Sequence, residues 1–82
     1  MIKHGRLHVD GGFRPVIVKE NRLWSEVIYI DGSWVRRRRI RNEQVGDVRV
    51  MAGWDAKRFA LFLRRSGKYM TRRTASILRE VK

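Results

Sequence analysis

The chain has 82 residues, with twenty Lys and Arg against eight Asp and Glu, a formal net charge of +12, no cysteine and 43% apolar residues. That length is one domain, residues 1–82, and the absence of thiols excludes disulfides and thiolate-bound zinc. The apolar content, with three Trp, three Phe and two Tyr, excludes a chain too polar to fold, and no stretch approaches the ~20 apolar residues of a membrane span. The N-terminus is too short and polar to read as a signal peptide, so a cytoplasmic protein without membrane contact is expected.

Residues 1–52 are rich in β-branched and aromatic residues, punctuated by turn chemistry at Gly11-Gly12, Glu20-Asn21-Arg22, Asp31-Gly32 and Asn42 to Gly46. This pattern predicts about five strands, near 6–9, 13–19, 23–30, 34–41 and 47–52, in a small antiparallel β-sheet or barrel over residues 6–52. Leu7 and Val9 alternate with Arg6 and His8, and Val48 and Val50 with Arg49, as in half-buried strands. Pro15 marks the second strand as an edge or as starting after it. In strand count and turn spacing this half resembles small SH3-like or oligonucleotide-binding barrels. Their glycine and aromatic signatures are not evident, so no functional residue is carried over.

The hairpin over 23–41 holds the most informative feature, Arg36-Arg37-Arg38-Arg39 with Arg41 close behind. Successive strand side chains point to opposite faces, so the run places guanidinium groups on both, and a core holds neither set unpaired. At least one face must meet water or a polyanion. A type I′ turn at Asp31-Gly32 would set Tyr29 opposite Trp34, Ile28 opposite Val35, Glu26 opposite Arg37 and Trp24 opposite Arg39. A three-residue loop would instead set Trp24 opposite Ile40.

From Trp54 the period becomes helical. Asp55 reads as an N-cap with Trp54 and Phe59 as a hydrophobic staple, and Phe59, Phe62 and Leu63 form an apolar stripe on a helix over about 55–65. Ser66-Gly67 ends it, with Gly67 as a left-handed cap. A second helix over about 71–81 starts with Thr71 as N-cap and buries Thr74, Ile77, Leu78 and Val81. The order is α+β: a sheet followed by two C-terminal α-helices. Residues 53–82 carry nine basic residues against Asp55 and Glu80. The pair resembles a helix-turn-helix with 71–82 as recognition helix, but with no third helix evident it reads more readily as an αα-hairpin with an Arg-rich outer face.

Arginine outnumbers lysine fifteen to five, and arginine brings the planar fork that pairs with phosphate and guanine and stacks on bases. The expected function is therefore non-enzymatic nucleic-acid binding, with DNA favoured over RNA. One arm of the footprint is Arg36, Arg37, Arg38, Arg39 and Arg41, with Trp34 as the aromatic placed on the surface. The other is Arg64, Arg65, Lys68, Arg72, Arg73 and Arg79. Replacing Arg37 and Arg39 by Ala is expected to weaken binding without lowering the melting temperature. The alternatives are a basic module docking on an acidic protein partner, or an RNA-binding, ribosome-associated protein. His4 and His8 have no evident third ligand, and four of the eight carboxylates (Asp10, Asp31, Asp47, Asp55) sit at turns or caps. No metal, cofactor or catalytic set is expected.

Overall fold

The computed structural model describes residues 2–45, 56–67 and 69–81. Strands β1 (Ile2–Val9), β2 (Gly12–Glu20), β3 (Trp24–Asp31) and β4 (Trp34–Arg41) form one antiparallel sheet in the order β1-β2-β3-β4. Helices α1 (Asn42–Val45), α2 (Ala56–Ser66) and α3 (Arg72–Glu80) follow. The architecture is α+β, with four strands among the described residues where about five were predicted. The predicted strand at 47–52, the Asp55 cap and the Trp54 staple lie outside the described residues. α1 occupies part of a segment expected to be a turn. β1 begins at Ile2, four residues earlier than expected, because Ile2 to Gly5 find partners in Lys19 to Val16 of β2.

The turns set the register. Val9 pairs with Gly12 across Asp10-Gly11, both at positive φ (47° and 74°), the backbone of a type I′ hairpin turn. At the β3–β4 turn Asp31 pairs with Trp34, so the loop is Gly32-Ser33, with Gly32 alone at positive φ (61°), as type II′ requires at its first position. Both predicted registers are therefore corrected: Trp24 faces Arg41, Glu26 faces Arg39, Ile28 faces Arg37 and Tyr29 faces Arg36. A two-residue turn centred one position later moves each partner by two, so every side chain keeps the face assigned by the type I′ reading. Pro15 pairs with Arg6 in the part of β2 where no pairing to β3 occurs, which begins at Ile17, so its missing N–H costs no inner ladder bond.

Apolar residues are buried on both sheet faces. Ile17, Ile28 and Val35 meet Phe59, Ala60 and Leu63 of α2 and Ile77 and Leu78 of α3. On the other face Val9, Val16, Val18, Val27 and Tyr29 cluster, with Leu7 and Ile40 at their margin. Thr71 caps α3 as expected, its hydroxyl accepting from the Thr74 N–H at 3.2 Å, and Thr74, Ile77 and Leu78 are buried. The helical pair thus packs on a sheet and not within a helical core. On α2, Phe62 departs from the expected stripe: Phe59 and Leu63 are buried, whereas Phe62 is half exposed and stacks on Phe59. Gly67 is also not the left-handed cap expected. Its φ is not positive, and glycine stands there because a Cβ would overlap the Val35 side chain and lie 2.8 Å from the Leu63 carbonyl. The turn between α2 and α3 is pressed onto β4, and no described helix is long and apolar enough to cross a membrane.

Candidate nucleic-acid interface

The alternation of β4 divides its arginines. Arg37, Arg39 and Arg41 share a face with Val35, the face carrying the helices, and Arg36 and Arg38 share the opposite face with Trp34. The charges on the helix-bearing face are organised by Glu26. Its carboxylate is only 8% exposed and accepts two bonds from Arg73, Nε to Oε1 at 2.9 Å and Nη2 to Oε2 at 2.8 Å. Arg37 Nη1 donates to Oε1 at 2.9 Å, and Asn21 Nδ2 donates to Oε2 at 3.1 Å. The Arg73 hydrogen bonds hold the carboxyl down to about 2, assisted by Asn21 and by the charges of Arg73 and Arg37, against the opposing effect of burial. Arg73 is correspondingly raised by Glu26. This cluster fastens α3 to β3 and β4, so Arg37 and Arg73, both assigned by sequence to a ligand surface, are structural ties as well.

Beyond this cluster the same face ends in Trp24, with the Arg39 guanidinium 5.3 Å and that of Arg41 5.4 Å from its ring centroid, within cation–π range. Arg41 also lies 3.8 Å from Glu43 in an exposed pair. Asn42 secures this end of the sheet. Its Nδ2 donates to the Asn21 and Arg22 carbonyls at 2.9 and 3.1 Å, its Oδ1 accepts from Ser25 at 2.6 Å, and its N–H donates to the Leu23 carbonyl. The 21–24 loop is therefore pinned beside the arginines.

On the opposite face Asp10 accepts from the Tyr29 hydroxyl and from Arg38, which ties the first hairpin to β3 and β4. The tyrosine bond and the Arg38 charge lower the Asp10 carboxyl, and burial, followed by Asp10, raises the Tyr29 hydroxyl. Arg36 approaches Asp31 at 3.4 Å in an exposed pair. Trp34 is on the surface as expected, but its partner is Tyr69 and not Tyr29. The rings stack with centroids 4.4 Å apart, and the Val35 N–H donates to the Tyr69 carbonyl at 2.9 Å.

The remaining expected residues lie on the helices. Arg64 and Arg65 are exposed in the last turn of α2, Arg72 opens α3, and Arg79 lies in its last turn. None of these four has a carboxylate within ion-pair distance among the described residues, and Lys68 lies outside them. By contrast Asp10, Glu20, Glu26, Asp31, Glu43 and Glu80 all sit in ion pairs. Comparison of the chain with protein-family models, curated proteins and solved structures yields no match. The geometry therefore carries the functional reading alone. Sequence reasoning anticipated the Glu26–Arg37 ion pair, though not Arg73 as a further partner, and missed Tyr69 and Asp10 as organisers, which nothing local signalled.

Proposed function

We propose that the protein is a non-enzymatic nucleic-acid-binding domain, whose exposed arginines contact the phosphate backbone. What supports this most is the distribution of charge. The six described carboxylates are occupied by strand and α3 cations, while Arg64, Arg65, Arg72 and Arg79 on the helices and Arg39 beside Trp24 carry charge without a carboxylate partner among the described residues. Uncompensated guanidinium groups on rigid elements cost self-repulsion in the free protein and release counterions when they meet phosphates. Exposed pairs such as Arg36–Asp31 and Arg41–Glu43 are weak enough to exchange partners with a phosphate. The encounter would take place in the cytoplasm.

Duplex DNA is the ligand on which this reading is tested first. If six to eight phosphates are neutralised, the slope of log K against log salt is about −5 to −7; a slope shallower than about −2 on duplex overturns duplex as the ligand, and one that shallow on duplex and single strands alike overturns the reading. A second reading, docking on an acidic protein, is favoured by one observation. Leu61 and Phe62 are exposed on α2 next to Arg58 and Arg65, in a shallow groove of about 260 Å³. Recovery of one acidic protein from a nuclease-treated lysate, together with salt-insensitive DNA binding, would favour that alternative.

A further inference from the structure

We infer that the Trp34–Tyr69 stack is a platform for an unpaired nucleobase, so that the nucleic acid bound is one presenting single-stranded residues. This deepens the nucleic-acid reading and rests on it. Large aromatics in so small a domain belong in its core, yet Trp34 is 53% and Tyr69 51% exposed. They are not loosely exposed. A strand-like bridge joins Trp34 to Tyr69, the Val35 N–H holds the Tyr69 carbonyl at 2.9 Å, and Gly67 lies against the Val35 side chain. One backbone bridge, made through that hydrogen bond, and the packing of Gly67 on Val35 thus fix a stacked pair whose rings already satisfy one another, with half of each side chain left to solvent. A platform ordered in advance loses little conformational freedom when a third ring is added.

The surroundings fit a nucleotide better than an apolar ligand. Two clefts, of about 350 and 430 Å³, both reach Trp34, Val35 and Thr71, and lie at the lower end of small-ligand pocket sizes, about 300–1,000 Å³. The larger is also lined by Arg36, Arg37 and Arg38. Arg36 and Arg38 follow Trp34 on the same strand face, each about 6.8 Å beyond the last. A strand laid along β4 with a base on the stack would meet a guanidinium at every second residue. Asp31 and Asp10 now hold these two arginines, in pairs whose guanidinium side chains are about half exposed (50% and 55%), so phosphate can reach both cations. Base-paired duplex exposes its base faces only at its ends, so this arrangement selects unpaired residues.

The test uses the full chain and three fluorescently labelled probes of about twelve nucleotides, within the span such sites cover: oligothymidine, an abasic strand of the same length and charge, and a duplex. Oligothymidine is expected to bind more tightly than the abasic strand by about 5- to 150-fold, the effect of one stacking contact. Trp34→Leu and Tyr69→Leu should bring the two single strands to parity while leaving abasic affinity unchanged, and Trp34→Phe should keep part of the preference. Circular dichroism melts of each variant separate lost stacking from lost fold, and the wild-type comparison of the two strands decides the matter without any variant. Equal affinity for oligothymidine and the abasic strand, with steep salt dependence, overturns the platform and leaves the nucleic-acid reading standing. Absence of salt-dependent binding to all three probes removes both.

Discussion

Replacement of Glu26 by Gln tests whether the buried cluster holds the helices to the sheet. A carboxyl held at about 2 in place of its ordinary 4.5 is favoured in its ionised form by about 3 kcal/mol, at about 1.4 kcal/mol per pH unit. The Arg73 side chain is 46% exposed, so solvent screens part of that interaction, and about 2 kcal/mol is the loss expected for Glu26→Gln at pH 7. In a domain of this size such a loss lowers the melting temperature by about 8–16 °C. The sign of the pH dependence follows from the depressed value. The contribution is complete above about 4.5, where the unfolded chain is also ionised, and it is lost as pH falls through about 2. Urea titrations of both proteins between pH 7 and pH 2 read it directly. Their stability difference should be constant above pH 5 and shrink towards zero near pH 2. A difference below about 0.5 kcal/mol at pH 7, or one that stays constant down to pH 2, would refute the reasoning, because only an ionised Glu26 distinguishes the two chains.

Two substitutions separate fold from binding along β4. Arg37→Ala removes a partner of a buried carboxylate and should destabilise by about 1–3 kcal/mol, whereas Arg39→Ala, which loses a contact over Trp24, should change stability by no more than about 1 kcal/mol while weakening nucleic-acid binding. Urea titration paired with anisotropy checks both, and the reverse order of stabilities would contradict the assignment. Gly67→Ala should destabilise by about 2 kcal/mol or more through overlap with Val35 and crowding of the Leu63 carbonyl. In a Val35→Ala background the loss of melting temperature caused by Gly67→Ala should be smaller than in the wild type; no such coupling would mean that the glycine serves another purpose.

Much of the fold was legible because it follows from local chemistry. The Arg-rich hairpin, the Thr71 cap and the buried Thr74-Ile77-Leu78 stripe are all as the sequence implied. The hairpin register was not, because Asp31-Gly32 and Gly32-Ser33 are both acceptable turn centres and differ only in which positions take positive φ. The error was tolerant: a shift of two keeps side chains on their faces, so Glu26 still met Arg37, though diagonally. The role of Gly67 was misread because sequence shows a glycine near a helix end, and only the fold brings Val35 beneath it. Arg73 and Glu26, 47 positions apart, and Trp34 and Tyr69, on a strand and in an interhelical turn, meet only after the helices dock. Composition thus announced an arginine surface, while tertiary packing decided which arginines are structural and which aromatics are displayed.

That division has a consequence in salt. The exposed pairs, among them Lys3–Glu20, Arg36–Asp31 and Arg41–Glu43, contribute little to stability and are screened easily. The buried Glu26 cluster is screened much less. Repulsion among the uncompensated arginines, in a chain of net charge +12, acts across the surface and weakens as the screening length falls from about 10 Å at 0.1 M to about 3 Å at 1 M. Raising salt over that range should therefore stabilise the free protein while it weakens binding to nucleic acid, two effects of opposite sign from one set of charges. Urea midpoints and anisotropy titrations on the same samples measure both. If stability instead fell with salt in parallel with affinity, the surface pairs would dominate over the repulsion. The arginines would then be serving the fold, and the charge would cease to argue for a polyanionic ligand.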